Sequence, residues 1–495
     1  MEPQPAARVP ARLRLWSLSE DVLVEAGPDA EHLVIFTQWG EIKIDDTSPL
    51  VRDSLLRMSL GPVAVDNLPT LQESLRLLRT GRADESTEPW HQLMRVLDRL
   101  GNCVVQSLGL DDEAGPVLSV APVSRQAGFW LPPEIGPDRP VKLSRLASMR
   151  AGGGGLVLES PVAQHRVVLH RPVAAWVAGS LGSPTTAAEI AAMLKVAEPV
   201  VADILAYLVA SGIVLVGEPG TPPRFDQDDD PDLSQWSYHD LQFHARSRMG
   251  RHNGPSTTGF PHVDRLPGAP VTKPRPEGAR FPLYRPALAD LLAADPPLTE
   301  VIEVSRSYRD YSERPVTAEE LGELLFRVAR IRSTELGSAA AETNYTVSDR
   351  PYPSTADLYE LELYLSLDRC PGLPRGNYHY DPREHALTLI SDSEAELGEL
   401  LDIAKVAAGS TQRPPVLITV TTRIARLSWI YSGIAYATTL KHVGALQQTL
   451  HLVATAMGLA STALAVPDGA TVDEALSLDW PAEVSVGDFL VGVRR

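Results

Sequence analysis

Residues 218–232 cannot belong to a core. Pro219, Pro222 and Pro223 remove backbone donors and fix φ, and Asp226-Gln227-Asp228-Asp229-Asp230-Pro231-Asp232 sets five carboxylates within seven residues. A charged, proline-containing run of this kind separates domains. A chain of 495 residues is in any case too long for one core. The expected organisation is an α+β protein with one module at 1–140, a second at 141–217, a linker and connecting helix at 218–288, and a last domain at 289–495.

Composition narrows the class. Hydrophobic content of 44% and charged content of 22% suit a globular chain, and a formal net charge of -18 opposes broad attraction to nucleic acid or an anionic membrane. Cys103 and Cys370 are the only cysteines, so neither a disulfide framework nor a cysteine metal cluster is expected. The start, Met-Glu-Pro-Gln-Pro, lacks the basic and apolar regions of a signal peptide. The most apolar long stretch, 444–466, is interrupted by Gln447, Gln448, Thr449 and His451, which opposes a membrane span. A cytoplasmic protein is expected.

Residues 1–12 read as a loose tail. Leu33–Thr37 and Glu41–Asp45 flank Gln38-Trp39-Gly40 as a hairpin, helices are expected from Ser48-Pro49 and over Thr70–Arg79 and Trp90–Leu100, and Val117–Val123 reads as a strand. In the second module, Gly152 to Gly155 lack the Lys-Ser/Thr ending of a nucleotide loop and read as a hairpin approach to strands at 156–159 and 166–170. Thr186 and Glu189 have capping-box spacing. Val201, Ile204, Leu205 and Leu208 share one helix face, Gly212 follows as a stop, and Ile213–Val216 is a strand.

Helix, turn, helix, strand is a winged-helix arrangement. Its second helix carries no Arg or Lys, so it has nothing to meet phosphates or guanine edges, and a peptide groove is the better reading. Trp236–Arg248 reads as a helix. His239 and His244 lie five apart, a poor fit to helical metal ligands, and no metal is expected.

In the last domain, Ser305-Arg306-Ser307-Tyr308-Arg309-Asp310-Tyr311 alternates hydroxyls and guanidinium groups ahead of a helix capped by Thr317 and Glu320, a pattern suited to phosphate. Leu321, Leu324, Leu325 and Val328 form one helix face, and Leu361–Leu367 and Val416–Thr421 read as strands. Val443, Leu446, Leu450, Val453 and Met457 describe a long helix buried along one side, with a partner subunit possible on it. His442 and His451 on that helix read as structural.

Several pieces resemble one family in order and spacing over roughly residues 230 to 495. Ser305-Arg306-Ser307-Tyr308-Arg309 resembles the first flavin motif of the nitroreductase superfamily. Pro351-Tyr352-Pro353-Ser354 with Leu361-Glu362-Leu363-Tyr364 resembles its Pro-Ser-Gly-Gly and Glu-x-Tyr segments. Gly376-Asn377-Tyr378-His379-Tyr380-Asp381-Pro382, the run Gly444, Gln448-Thr449-Leu450, Gly458-Leu459, and Trp236, His239, His244, Ser247, Arg248, Gly250 are similar to motifs of its SagB-type branch. That branch comprises peptide dehydrogenases that oxidise thiazolines and oxazolines in ribosomally made peptides.

The resemblance implies a nitroreductase-like FMN fold, an FMN-dependent homodimer with flavin at the subunit interface, and N-terminal winged-helix modules that clamp the leader of a precursor peptide. Cyclodehydratase partners are possible. Carried over by position, Arg306, Ser307 and Arg309 would hold the phosphate, ribityl chain or ring edge, with Arg309 at the N1–O2 edge. Ser354 and Gln448 would also contact the cofactor, and Arg494 would meet its phosphate. Tyr431 is the candidate catalytic residue.

The departures are specific. Ser305 stands where an Arg is usual, Thr355 and Ala356 replace paired glycines, and Tyr359 replaces a His. Ile430-Tyr431 stand where azoline oxidases commonly carry Lys-Tyr. Azoline oxidation needs removal of a ring proton, which a positioned base speeds typically by about 10²–10⁴-fold. A tyrosine at an ordinary pKa of about 10 is a poor base. Another residue or water must serve, or the reaction differs. The alternatives are an FMN-dependent reductase of another peptide group, such as a dehydroamino acid, and a non-catalytic peptide-docking scaffold.

Overall fold

A computed structural model describes residues 11–495 apart from 27–31, 46–47, 65–70, 73, 75, 78–79, 81–86, 112–114, 249, 253–258, 338–344 and 465–468. Of the helix expected over Thr70–Arg79, residues 71, 72, 74, 76 and 77 are described and are helical, with Leu71 buried, while residues 1–10 of the expected tail lie outside the described residues. The chain divides into two compact units, Met1–Gly254 and Pro255–Arg495.

The first unit is built on a seven-stranded antiparallel sheet. Its spatial order is Val63–Ala64, Arg12–Leu18, Val104–Leu110, Pro116–Pro122, His165–Leu169, Gly155–Glu159, Ser148–Gly152. Pro116–Pro122 pairs with His165–Leu169, so strands on both sides of the 140/141 boundary share one sheet. Neither hairpin could leave that edge open without unpaired backbone donors and acceptors. The hairpin around Trp39 forms between Leu33–Thr37 and Gly40–Ile44. Helix Pro49–Leu60 begins where Ser48 Oγ accepts from the Val51 N–H and proline occupies the first turn.

Three helices follow the second hairpin: Pro172–Gly179, Ala187–Leu194 and Glu198–Ala210. The Thr186–Glu189 capping box forms reciprocally, and Gly212 takes a φ of 80° at the stop before Val214–Val216, which pairs with Val141–Leu143. Val201, Ile204, Leu205 and Leu208 are buried together with Val167 and Leu169. On the last of these helices Asp203 pairs with Arg12 at 2.5 Å.

The second unit contains another seven-stranded antiparallel sheet, ordered Arg280–Pro282, Ala386–Ser391, Gly376–Asp381, Leu361–Leu367, Val416–Arg423, Glu483–Val493, Leu459–Leu464. Both faces are covered. On one face Leu361, Leu363, Leu365 and Leu367 pack with Leu324 and Leu325 of helix Ala318–Ala329 and Val443, Leu446 and Leu450 of helix Ala435–Ala456. On the other, Tyr364, Leu417 and Leu490 pack with Leu397, Leu400 and Leu401 of helix Glu394–Ala408 and with Val472 of Gly469–Ala475. Each fully buried leucine contributes about 1.5–3 kcal/mol, so this two-sided core fixes the sheet on which the candidate site sits.

The 22-residue helix Ala435–Ala456 has a second face. Tyr436, Leu440, Gly444 and Gln448, each four residues apart, are all exposed, with Tyr436 at 43% and Leu440 at 38%. Among the described residues no helix is long and apolar enough to cross a membrane, and no group of three or more His, Cys, Asp or Glu is placed to hold a metal.

Candidate functional site

The Ser305–Tyr311 run lies against the sheet's edge strand Leu459–Leu464. The Tyr308 N–H donates to the Ser461 carbonyl at 3.0 Å, and Thr462 Oγ1 donates to the Tyr308 carbonyl at 2.5 Å. Tyr311 anchors the far end. It is buried, and a Cβ on Gly492 would come within 2.1 Å of its ring, so only glycine fits there. Its phenol is pushed up from the ordinary value by burial and then by Asp310.

This placement gathers cations from distant parts of the chain. The Arg306 guanidinium lies 5.0 Å from the Tyr308 ring centroid and that of Arg494 lies 5.3 Å from it. Arg306 Nε also donates to the Tyr308 hydroxyl at 3.0 Å. Arg494 donates to the Leu459 and Thr455 carbonyls, both at 3.1 Å, and so supplies positive charge at the C-terminal end of the long helix. Ser307 and Arg309 are exposed beside them. His451, bonded to Ser461 Oγ at 2.9 Å, is pushed down by burial and then by Arg494. The donor set fits a phosphate monoester: guanidinium groups from two segments, a third nearby, and a hydroxyl.

Ser354 belongs to a second cluster, a turn closed by Tyr359. Ser354 Oγ accepts from the Tyr359 N–H at 3.1 Å, and the Tyr359 hydroxyl donates to the Tyr352 carbonyl at 2.8 Å. Ala356, Asp357 and Tyr359 have φ of 52°, 54° and 46°. Three non-glycine residues in the left-handed region within four positions is strain of the kind that collects at functional turns. Beside them lies an arrangement that the sequence did not reveal. The Thr355 N–H donates to His442 Nε2 at 2.8 Å, Thr355 Oγ1 lies 2.9 Å from the same nitrogen, and His442 Nδ1 lies 2.8 Å from Glu360 Oε1. Glu360 and His442 are 82 residues apart, so no spacing could have paired them.

Gln448 is exposed on the long helix, one turn beyond Gly444, where an added Cβ would meet nothing within 4 Å. The neighbouring Gln447 turns to the sheet and donates to the Asp488 carbonyl at 3.2 Å. Tyr431 sits elsewhere, half-buried in an apolar cluster with Phe260, Tyr345 and Trp429. Burial, and then Tyr345, push its phenol above the ordinary value, which makes it a poorer proton acceptor. Ile430 is buried in the same cluster, and its carbonyl accepts from the Gly259 and Phe260 N–H groups. A lysine there would be buried among apolar groups.

The Glu-x-Tyr strand builds a buried polar network. Glu362 lies 2.7 Å from Arg423 Nε and 3.1 Å from His379 Nε2. Burial alone would raise its carboxyl, but the His379 hydrogen bond and the Arg423 charge bring it down to about 2. Tyr364 donates to Glu483 at 3.1 Å, and Lys273 pairs with Glu483. Arg423 Nη1 holds the Pro270 carbonyl at 2.7 Å and Arg426 Nη1 holds that of Ala269 at 2.9 Å, which fixes the segment entering the unit.

Comparison with known proteins matches one segment in each unit. Residues 141–253 match the cyanobactin oxidase ThcOx, and residues 302–493 match the nitroreductase family. A Methanocaldococcus jannaschii protein named as a nitroreductase is 26% identical over 171 residues, 34% of this chain and 77% of that one. A Ralstonia eutropha crystal structure named as a nitroreductase shares 19% identity at a TM-score of 0.35, covering 46% of this chain and 99% of that one. A chain of the E. coli microcin synthetase McbBCD complex with truncated pro-MccB17 bound shares 16% identity at a TM-score of 0.32, covering 54% of this chain and 94% of that one.

Proposed function

We propose that this chain, which joins a cyanobactin-oxidase-like segment to a nitroreductase-like domain and resembles the SagB-type dehydrogenases, is an FMN-dependent dehydrogenase. Its substrates would be thiazoline or oxazoline rings in a ribosomally made precursor peptide, oxidised to thiazoles or oxazoles. The observation that carries this reading is the basic cluster at the sheet edge, where Arg306 and Arg494 flank Tyr308 beside exposed Arg309 and Ser307.

In this reading Arg306, Ser307 and Arg494 hold the phosphate of FMN. Arg309 faces the N1–O2 edge, where a cation favours the anionic reduced ring. Ser354 and Gln448 contact the remainder. Bound FMN supplies a two-electron acceptor for the hydride that leaves the azoline. The chain's own task is to orient the ring and to accept its proton. Exposed Tyr436, Leu440 and Gly444 on the long helix suit a homodimer that completes the flavin site. The N-terminal modules hold the leader, and cyclodehydratase partners would supply the azoline.

A second reading draws on Ile430. Its burial in an apolar cluster leaves no lysine for azoline chemistry and favours an FMN-dependent reductase of another peptide group, such as a dehydroamino acid. Purified protein settles between them through its visible spectrum and the peptide's mass. Bound flavin with loss of two mass units from a thiazoline peptide supports the dehydrogenase. Flavin with a gain of two, dependent on NAD(P)H, supports the reductase. Absence of flavin with intact leader binding would leave only a scaffold.

A further inference from the structure

We propose that Thr355, His442 and Glu360 form the proton relay of this reaction, taking the place of the lysine that Ile430 replaces. The inference rests on the function proposed above and deepens it. His442 Nε2 lies 2.9 Å from the Thr355 hydroxyl, and Nδ1 lies 2.8 Å from Glu360 Oε1. A hydroxyl, an imidazole and a carboxyl linked in sequence, with the base oriented by a buried acid, is the arrangement that activates a hydroxyl for proton transfer.

The tautomer follows from the partners. The Thr355 N–H donates to Nε2, so that nitrogen carries a lone pair, and Nδ1 carries the proton and donates to Glu360. The side chain of Glu360 is 0% exposed and that of His442 7%, so water does not screen the carboxylate from the ring. Glu360 Oε2 is buried without a hydrogen-bond partner, so the carboxyl's hydrogen bond runs through Oε1 to His442. Thr355 is exposed, and so the relay reaches the surface of the strained turn that carries Ser354.

The step balances as a proton transfer. The ring C–H bond adjacent to the hydride-losing carbon breaks, its proton passes to Thr355 Oγ1, and the hydroxyl proton passes to His442 Nε2 as that nitrogen releases its hydrogen bond from the Thr355 N–H. An imidazolium paired with Glu360 results. The electron pair of that C–H bond forms the new ring double bond as the neighbouring carbon gives up its hydride, for which bound FMN would be the acceptor.

Two measurements test this on the full chain. Nitrogen-15 NMR of labelled imidazoles, with His442 assigned by its loss in His442→Asn, should show an Nδ1–H tautomer that mixes in Glu360→Gln. A proton resident on Nε2 overturns the relay. The second uses flavin-loaded protein, reduced so that no hydride can be accepted, and a synthetic peptide with one thiazoline in D₂O. The wild type should exchange the ring proton for deuterium. Thr355→Val keeps the backbone bond to His442 but lacks the hydroxyl, so exchange should fall by about 10²-fold or more with flavin absorbance unchanged. Thr355→Ser should restore it. A purely structural His442 predicts wild-type exchange in Thr355→Val, and that result overturns the relay while leaving the proposed function intact. A wild type with bound flavin that neither exchanges nor oxidises the peptide overturns the function and the relay's part in it.

Discussion

Ala356 holds a left-handed backbone at φ 52° without being glycine. That conformation costs an L residue roughly 1–2 kcal/mol, less the extra entropy a glycine loses on folding, about 0.5–1 kcal/mol. Ala356→Gly should therefore stabilise the second unit by up to about 1 kcal/mol, seen as a higher Tm, and a lower Tm would show that the turn is not strained. The cations act on affinity. Arg306→Ala or Arg494→Ala removes a charge-assisted contact worth about 1.5–3 kcal/mol, so FMN should bind roughly ten- to a hundredfold more weakly in a fluorescence titration. The arginines at 306 and 309 could be singled out as candidates from the sequence because their motif is local. Thr355–His442–Glu360 could not be, because its members meet only when the turn closes on the long helix. Tyr431 was readable as a candidate in apolar surroundings, but the contact with Tyr345, which adds to burial in raising its pKa, was not.

At the level of elements, strand Glu483–Val493 carries the most telling buried charge. Asp488 is 5% exposed, and burial, partly offset by a hydrogen bond from Thr419, raises its carboxyl from 3.8 to about 6. Between those values the folded state binds a proton that the unfolded chain has released. The Asp488 contribution to stability therefore falls as pH rises from about 4 to 6, by about 3 kcal/mol in all. Asp488→Asn keeps an acceptor for Thr419 and cannot ionise. It should raise the second unit's Tm at pH 7 and flatten its fall between about pH 4 and 6; an unchanged profile by calorimetry would contradict this. The capping boxes at Thr186 and Thr317 were readable in advance because a cap is decided within four residues. The pairing of Pro116–Pro122 with His165–Leu169 was not, since register across a long connection is set by the whole sheet.

For the whole molecule, the sequence places a linker and connecting helix at 218–288, and the compact units divide inside that span, at Gly254 and Pro255. Within that span the helix Tyr238–Arg246 belongs with the first unit, where Gln242 bonds Glu159 at 3.5 Å. Assembly is testable through the exposed stripe of the long helix. Leu440→Glu should shift sedimentation from dimer to monomer and lower flavin occupancy in parallel, whereas loss of one without the other would separate the interface from the site. The most direct measurement mixes flavin-loaded protein with a thiazoline peptide in the absence of oxygen. The flavin's visible absorbance should bleach in a single turnover as the peptide loses two mass units. Bound flavin that stays oxidised in the presence of a bound thiazoline peptide would contradict azoline dehydrogenation by this chain.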